Sequence, residues 1–226
     1  TLERAEKAIR VAQDTARGES GTINIGFVGS AMYDPRFTRM LKAYRTAHPG
    51  INLLLHEMPI LAQIESVDKG HLDISVVRAP LPDVMPEGVD TFVLARQILV
   101  AVLSNEHPLA GRESLALQEL SNDIFIAFHD PDGVGLGHAL LEECRRVGFE
   151  PNITLRVTEI ATLISLAAAG LGVSLMPDTV RHLQLPGVRY IPLQGEERDT
   201  QLIVVHRRFE RSAAVRGLLA KIRESI

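Results

Sequence analysis

The sequence predicts an α/β protein built from two similar lobes, each with a mostly parallel sheet covered by helices. A strand–helix–strand–helix–strand pattern occurs twice, and the second copy lies about 100 residues after the first. The first copy has strands near residues 23, 51 and 74, and the second has strands near 124, 153 and 173. Strands that alternate with helices are typical of parallel sheets. Two such lobes leave a cleft, which is a natural place for a small molecule.

Composition narrows the class of protein. The chain has 226 residues, enough for a substantial core, and its net charge of −4 does not favour a surface that grips nucleic-acid phosphates along its length. The sequence has no apolar run of about 18 residues that would predict a membrane-spanning helix, and it begins with no signal peptide. The single cysteine, Cys144, excludes an internal disulfide and a cysteine-rich zinc site. Its helical spacing from Leu140 predicts a packed core thiol.

The first 17 residues predict an amphipathic helix. Its apolar positions step by three and four residues, like the seam of a coiled coil, and they are Leu2, Ala5, Ile9, Ala12 and Ala16. The seam is short and rich in alanine, so it is weak alone. Two interpretations stay open: a helix that pairs with a second subunit, and a helix that lies on its own domain.

The first copy of the pattern has clear boundaries. We expect strands at 22–28, 51–55 and 72–77, a first helix that ends at Pro49-Gly50, and a second helix over 60–69. The apolar face of the first helix consists of Phe37, Met40, Leu41 and Tyr44. The third strand is almost wholly apolar, which predicts a strand buried on both faces.

A connecting segment separates the two copies. Pro80, Pro82 and Pro86 mark a loop. Residues 91–103 predict two short strands that leave the first lobe, and residues 104–123 predict a polar connector.

The second copy repeats the arrangement over about 124–199. We expect strands at 124–128, 153–157 and 172–176. The apolar faces of its two helices are Leu136, Leu140, Cys144 and Val147, then Ile160, Leu163, Ile164 and Ala167. The tail adds a strand at 202–205 and a helix with Val215, Leu218, Leu219 and Ile222 on one face.

Candidate ligand-binding residues follow the strands. In open α/β sheets, ligands bind beyond the carboxyl ends of the parallel strands. In the first lobe, the residues at these ends are Gly29, Ser30, Ala31, Pro59, Ile60 and Arg78. In the second lobe, they are Phe128, His129, Asp130 and Thr158. These ten residues are the predicted binding site.

Four local phrases occur in a characteristic order. They are AYRTAHPGI at 43–51, KGHLD at 69–73, EHPLA at 106–110 with LALQEL at 115–120, and AAAGLGVSLMP at 167–177. Each phrase alone is weak, but the ordered set is fairly specific. Together they resemble the effector-binding domain of a LysR-type transcriptional regulator, and the resemblance covers residues 20–226.

The resemblance implies a periplasmic-binding-protein type II fold with two lobes joined by two crossover strands. On this basis the crossovers are Ile98–Leu103 and Leu202–Val205. Regulatory lobe I comprises 21–101 and 206–226, and regulatory lobe II comprises 102–205. Residues 1–20 would be the end of a linker helix that pairs two subunits. The family's winged helix-turn-helix DNA reader precedes that helix, and this chain has none, so DNA binding is expected of the parent protein.

The start of the first lobe resembles the branch of the family that controls the degradation of aromatic compounds. In that branch, a Ser or Thr after the first strand holds an effector carboxylate, and Ser30 matches this position. A basic residue follows the third strand, and Arg78 matches. A second hydroxyl residue usually follows the second strand, where this chain has Pro59 or Ile60, so the resemblance breaks there. The effector is expected to be a small carboxylate, of aromatic or dienoic type.

Every candidate residue also has a structural interpretation. Ser30 can receive a carboxylate through its hydroxyl and nearby N–H groups, or it can cap a local turn. Arg78 offers a planar fork for a carboxylate, or it forms a surface ion pair. Phe128 can stack on an aromatic ligand or pack in the core. Asp130, beside His129, fits an aspartate-rich turn better than a metal site. Thr158 can contact a ligand or cap the next helix.

The sequence has no motif that predicts catalysis. It lacks a His-Glu-x-x-His pair, a phosphate-binding loop and a Gly-x-Ser-x-Gly elbow. We therefore expect an effector-sensing domain and not an enzyme, with no cofactor and no metal. Its expected partners are a small-molecule carboxylate, itself as a homodimer or tetramer, and promoter DNA only through the missing N-terminal domain, with no membrane contact and a cytoplasmic location. The alternative is a periplasmic solute-binding protein for a small anion, against which the seam at 2–16 argues.

Overall fold

The computed structural model describes residues 16–195 and 198–224. The chain forms two compact units. Unit 1 comprises the chain up to Val77, Val84–Leu94 and the chain from Ile203 onwards, and unit 2 comprises Arg78–Asp83 and Ala95–Leu202. The predicted seam at 2–16 lies outside the described residues, apart from Ala16.

Unit 1 is a sheet whose first three strands are parallel. They are β1 (Gly21–Phe27), β2 (Ile51–Glu57) and β3 (Ile74–Arg78). β1 lies in the middle and pairs with β2 from Gly21↔Ile51 to Phe27↔Glu57, and with β3 from Ile25↔Ile74 to Phe27↔Val76. Parts of two long strands, β4 (Val89–Ser104) and β9 (Asp199–Arg207), complete the order β2-β1-β3-β9-β4.

The described part of unit 1 contains the helices α1 (Pro35–Ala47), α2 (Ile60–Asp68) and α5 (Ala213–Glu224). α1 begins where the sequence supplies strong start signals, because Asp34 accepts the N–H of Arg36 at 2.7 Å and Pro35 occupies the first turn. The predicted face of α1 packs inward through Phe37, Met40 and Tyr44. The hydroxyl of Tyr44 donates to the carbonyl of Ala214 at 2.7 Å, which fastens α5 to α1.

Unit 2 repeats the arrangement of unit 1. Its own strands are β5 (Ile124–Phe128), β6 (Asn152–Val157), β7 (Ser174–Pro177) and β8 (Val188–Pro192). β5 and β6 pair in parallel, and a parallel bridge between Phe125 and Val173 places β7 on the other side of β5. β4 pairs antiparallel with β7 and with β8, so the strand order is β6-β5-β7-β4-β8. In both units, three parallel strands are followed by a strand that the chain shares between the units.

The helices of unit 2 are α3 (Gly135–Arg146) and α4 (Ile160–Ala168). Cys144 on α3 is fully buried, which confirms the prediction of a packed core thiol. It belongs to a core cluster that also contains Phe125, Leu140 and Leu175.

The segment at 104–123 differs from the predicted polar connector. Leu115, Leu117 and Leu120 are fully buried in the core cluster of unit 2, and a short 3₁₀ helix spans Leu117–Leu120. The prediction was wrong because it followed the polar residues that dominate 104–123, although three leucines lie close together at 115–120. The segment is therefore part of the lobe.

The predicted pair of short strands at 91–103 is also wrong. The structure has one strand of 16 residues, β4. Arg96, in its middle, does not interrupt it, because this residue lies on the exposed side and pairs with Asp199 of β9 at 3.1 Å. Besides the 3₁₀ helix Leu117–Leu120, three described elements have no counterpart among the predicted ones: β8 and the 3₁₀ helices Gly29–Tyr33 and Asp178–His182.

β4 and β9 each carry the chain from one unit to the other. β4 leaves unit 1 after Leu94, and β9 leaves unit 2 after Leu202. The predicted lobe boundaries at 101 and 205 fall inside these two strands. Among the described helices, none is long and apolar enough to cross a membrane.

Candidate functional site

The structure brings the candidate residues of unit 1 together at one edge of its sheet. Gly29, Ser30 and Ala31 begin the 3₁₀ helix that follows β1, and Ile60 begins α2 after β2. The two connections are tied together because the N–H of Met58 donates to the carbonyl of Phe27 at 3.2 Å. These residues therefore share the carboxyl edge of two neighbouring parallel strands.

Both short connections start a helix without a side-chain cap. The residue before the 3₁₀ helix is Val28 and the residue before α2 is Pro59, and neither makes a side-chain cap hydrogen bond. The first N–H groups of a helix point outward and carry a partial positive charge. Ser30 itself is 4% exposed and lies in the first turn of the 3₁₀ helix. The arrangement suits a small anion, because hydroxyl and N–H donors are grouped at one edge.

Arg78 ends β3 and is only 1% exposed, so it is not a surface side chain. Its segment is anchored in unit 2: the N–H of Ala79 donates to the carbonyl of Gln201 at 3.0 Å, and the N–H of Gly135 donates to the carbonyl of Pro80 at 3.0 Å. A guanidinium keeps its charge at every physiological pH. A permanent cation at this burial interacts strongly with an anion, because the surroundings screen charge less than water does.

The candidate residues of unit 2 also meet at one edge. Phe128 pairs with Val157, the last residue of β6, and the N–H of His129 donates to the carbonyl of Val157 at 2.8 Å. Thr158 follows directly. Phe128 is half-buried, whereas His129 and Thr158 are exposed. Thr158 does not cap α4, because the residue before that helix is Glu159 and it makes no side-chain cap.

Asp130 has a structural partner inside its own unit. Its Oδ2 accepts the N–H of Gly137 at 2.9 Å, in the first turn of α3. Burial raises the pKa of the Asp130 carboxyl, and the hydrogen bond from Gly137 opposes this effect. The start of α3 therefore already holds a carboxylate, which leaves less room there for a second anion.

Sequence reasoning missed Gln63. This residue is fully buried on α2, and its Nε2 donates to the carbonyl of Met58 at 2.6 Å. It thereby holds the connection that leads to Pro59 and Ile60. A signal was present, because position 63 falls three residues after Ile60 on the apolar face of α2, where a polar side chain needs a partner.

Neighbouring residues show how closely Gln63 is fitted. A Cβ atom at Gly26 of β1 would lie 2.9 Å from Oε1 of Gln63 and 3.1 Å from Cβ of Ser75. Gly26 therefore leaves the space that Gln63 occupies.

In the described part of the chain, no group of three or more His, Cys, Asp or Glu side chains could hold a metal ion.

Comparison with known proteins identifies the family. The sequence model described as "LysR substrate binding domain" matches residues 16–226. The match spans most of the chain, and the protein therefore belongs to the LysR substrate-binding-domain family.

Two curated relatives illustrate the likeness. The "Uncharacterized HTH-type transcriptional regulator YnfL" of Escherichia coli (strain K12) is 32% identical over 217 residues, which are 96% of this chain and 72% of that protein. The HTH-type transcriptional regulator BenM of Acinetobacter baylyi is 29% identical over 205 residues, which are 90% of this chain and 66% of that protein. These names describe regulators, and they confirm the prediction that the chain is not an enzyme.

Solved structures agree with the fold. The BenM effector-binding domain with its effector benzoate has a TM-score of 0.77 and 28% identity, and the likeness covers 90% of each chain. CbnR, a LysR-family regulator, has a TM-score of 0.82 over 98% of this chain at 18% identity, which bears on the fold alone. The predicted α/β fold of periplasmic-binding-protein type II class, with two crossover strands, is confirmed.

Proposed function

We propose that this chain is the effector-sensing domain of a LysR-type DNA-binding transcription factor that responds to a small anionic metabolite. The metabolite binds at the candidate residues and alters the geometry of the oligomer. Promoter DNA is contacted by a part of the parent protein that lies outside this chain. Such a regulator acts in the cytoplasm, where its DNA is.

The observation that carries this proposal is the shared carboxyl edge of β1 and β2. Ser30 and the first turn of α2 lie there, with hydroxyl and N–H donors and no side-chain cap on either helix start. Arg78, at the end of the next parallel strand, adds a buried permanent cation. Donors and positive charge in this pattern favour a carboxylate over a neutral ligand.

The position of Asp130 supports an assignment of the carboxylate to Ser30 and Arg78. Asp130 already accepts the N–H of Gly137 at the start of α3. A second carboxylate at that helix start would meet a like charge and an occupied donor. We therefore propose that Phe128, His129 and Thr158 contact the body of the effector and not its carboxylate.

An aromatic or dienoic carboxylate is the proposed effector class. A relative, the BenM effector-binding domain, holds benzoate. In this chain, Pro59 and Ile60 offer no hydroxyl after β2, and proline has no N–H to donate. The effector therefore receives one side-chain hydrogen bond fewer at this point, and the side chains there offer apolar contact to a flat, weakly polar body.

The response requires two arrangements of the parent protein. A ligand shifts an equilibrium only by its difference in affinity for the two states. We propose that the effector favours one arrangement of the units, and that this preference is passed to the DNA readers through the self-associated protein as a dimer or tetramer.

A calorimetric titration with a panel of aromatic and dienoic carboxylates tests the site. Ser30→Ala removes one hydroxyl and should weaken the affinity for a hit by roughly 1–3 kcal/mol, which is about 5- to 150-fold. Ser165→Ala is the matched control, because Ser165 is an exposed serine on α4 that bonds only to the carbonyl of Ala161 among its described contacts. Equal affinities in both variants would refute the role of Ser30.

A further inference from the structure

We propose that unit 2 carries a second binding site, for a small phosphate-bearing metabolite, in a cavity anchored by Arg189. The cavity has a volume of about 380 Å³ and opens to solvent. It is lined by Asn105, Ala110, Gly111, Val188 and Arg189, none of which belongs to the candidate effector site.

The cavity lies at the opposite edge of the unit 2 sheet from Phe128 and Thr158. β4 runs antiparallel to β7, with Leu99 opposite Pro177 and Val102 opposite Ser174. The carboxyl end of β4, at Ser104, therefore lies at the amino edge of the parallel strands. Val188 pairs with Ser104, which places the cavity at this amino edge. Phe128 and Thr158 lie at the carboxyl edge, so the two sites are separate.

Three of the five lining residues, Asn105, Gly111 and Arg189, have hydrogen-bond donors, and none of the five has a carboxylate. Arg189 is exposed on β8 and forms no ion pair with any carboxylate of the described residues. Asn105 has a side-chain amide and Gly111 has a backbone N–H, and both residues line the cavity. A guanidinium fork, an amide and an N–H match the several oxygens of a phosphate group. The donor set thus selects an oxyanion, and the mainly polar lining disfavours an apolar ligand body.

The walls of the cavity are held in place without a ligand. The N–H of Asn105 donates to the carbonyl of Gly187 at 2.8 Å, which joins the first wall to the turn before β8. His107 holds the segment that leads to Ala110 and Gly111 on the other wall. Its Nδ1 accepts the N–H of Leu109 at 3.2 Å, and its Nε2 lies 3.1 Å from Oδ1 of Asp123. A preformed site loses less entropy when it binds a ligand.

The size of the cavity indicates more than a bare ion. Sites for small molecules commonly measure about 300–1,000 Å³, and the cavity falls in this range at about 380 Å³. Inorganic phosphate would fill only part of it. The space favours a phosphate monoester with a short polar body, such as a sugar phosphate.

Amide chemical-shift titration with ribose 5-phosphate at constant ionic strength tests the proposal, with ribose as the uncharged comparison. We expect saturable shifts of the Gly111 N–H and of the Asn105 side-chain amide with the phosphate ester, and none with ribose. Arg189→Gln should weaken binding at least tenfold. Arg156→Gln is the matched control, because Arg156 is an exposed arginine on β6, at the other end of the strand order.

A second variant adds bulk to the cavity lining at a position that has room for a side chain. A Cβ atom at Gly111 would meet nothing within 4 Å, so Gly111→Leu adds bulk in open space. This variant should keep the melting temperature of the wild type and lose the shift of the Asn105 amide. Equal affinity of the wild type and Arg189→Gln for ribose 5-phosphate would overturn the proposal. The same shifts with uncharged ribose would also overturn it. Binding that persists in Gly111→Leu would overturn the position of the site.

Discussion

Oδ2 of Asp130 accepts the N–H of Gly137 at 2.9 Å, which joins the segment after β5 to the first turn of α3. The bond explains why α3 begins without a cap from the residue before it, because Val134 has no side-chain acceptor. The carboxylate of Asp130, seven residues before Gly137, supplies the acceptor instead. The edge of unit 2 that carries Phe128 and His129 is thereby held against a helix.

The first prediction concerns Asp130→Asn. Burial raises the pKa of the Asp130 carboxyl in the folded protein above its ordinary value of 3.8. The stability that this group contributes is thus present at low pH and is lost as the pH rises through the folded-state pKa. Asparagine keeps an acceptor for Gly137 and carries no charge. Urea unfolding measures the free energy of unfolding of both proteins. The value for Asp130→Asn minus the value for the wild type should therefore increase from pH 4 to pH 7. A constant or shrinking difference would contradict this explanation.

The second prediction compares two helical glycines. A Cβ atom at Gly137 of α3 would lie 2.7 Å from the carbonyl oxygen of Phe128, whereas one at Gly217 of α5 would meet its nearest neighbour at 3.6 Å. Gly217→Ala should raise the free energy of unfolding by about 0.5–1 kcal/mol, because glycine is costly inside a helix. Gly137→Ala should lower it, since α3 must move away from β5. Thermal unfolding of both variants checks the opposite signs. Stabilisation by Gly137→Ala would contradict the prediction, because it would mean that α3 tolerates a Cβ atom beside the carbonyl of Phe128.

The third prediction concerns Gln63→Glu. The change removes the donor that bonds the Met58 carbonyl and places a carboxylate in a fully buried position. We expect the free energy of unfolding at pH 7 to fall by more than about 2 kcal/mol. Gln118→Glu, on the exposed surface, is the control and should stay within about 0.5 kcal/mol. If the two variants unfold alike in urea, Gln63 does not hold the start of α2.

The fourth prediction concerns the thiol of Cys144. Burial raises its pKa to about 12. Because the thiolate is the reactive form, the folded protein should not react with a thiol reagent at pH 8. Denaturing urea should expose the thiol and allow stoichiometric labelling. Rapid labelling of the folded protein would mean that α3 opens readily, and mass spectrometry of the labelled chain distinguishes the two results.

Much of the fold follows from local patterns in the sequence. The apolar runs at β1, β3 and β5 and the helical faces of α1 and α4 are short-range signals, so they predict the repeated pattern without reference to long-range contacts. The continuity of β4 could not be predicted in this way, because Arg96 in the strand pairs with Asp199, a residue 103 positions away. The buried leucines of the connector likewise depend on a core that other segments supply.

The candidate site divides in the same way. The residues after β1, β2, β5 and β6 could be placed at two edges, because parallel strands end on the same side of a sheet. The burial of Arg78 could not be predicted from the sequence, since it depends on the packing of its segment against Gln201 and Gly135. Gln63 had a signal, a polar residue on an apolar helix face, but its partner was beyond the reach of spacing alone.

A thermal-shift screen of small carboxylates, aromatic and dienoic, tests the central claim most directly, with the wild type and Arg78→Ala side by side. A ligand that binds only the folded state raises the melting temperature by mass action. Each variant is compared with its own ligand-free melting temperature, so a change in basal stability does not affect the comparison. We predict a carboxylate that raises the melting temperature of the wild type and leaves that of Arg78→Ala unchanged. An equal rise in both proteins, or no rise with any carboxylate, would contradict the account.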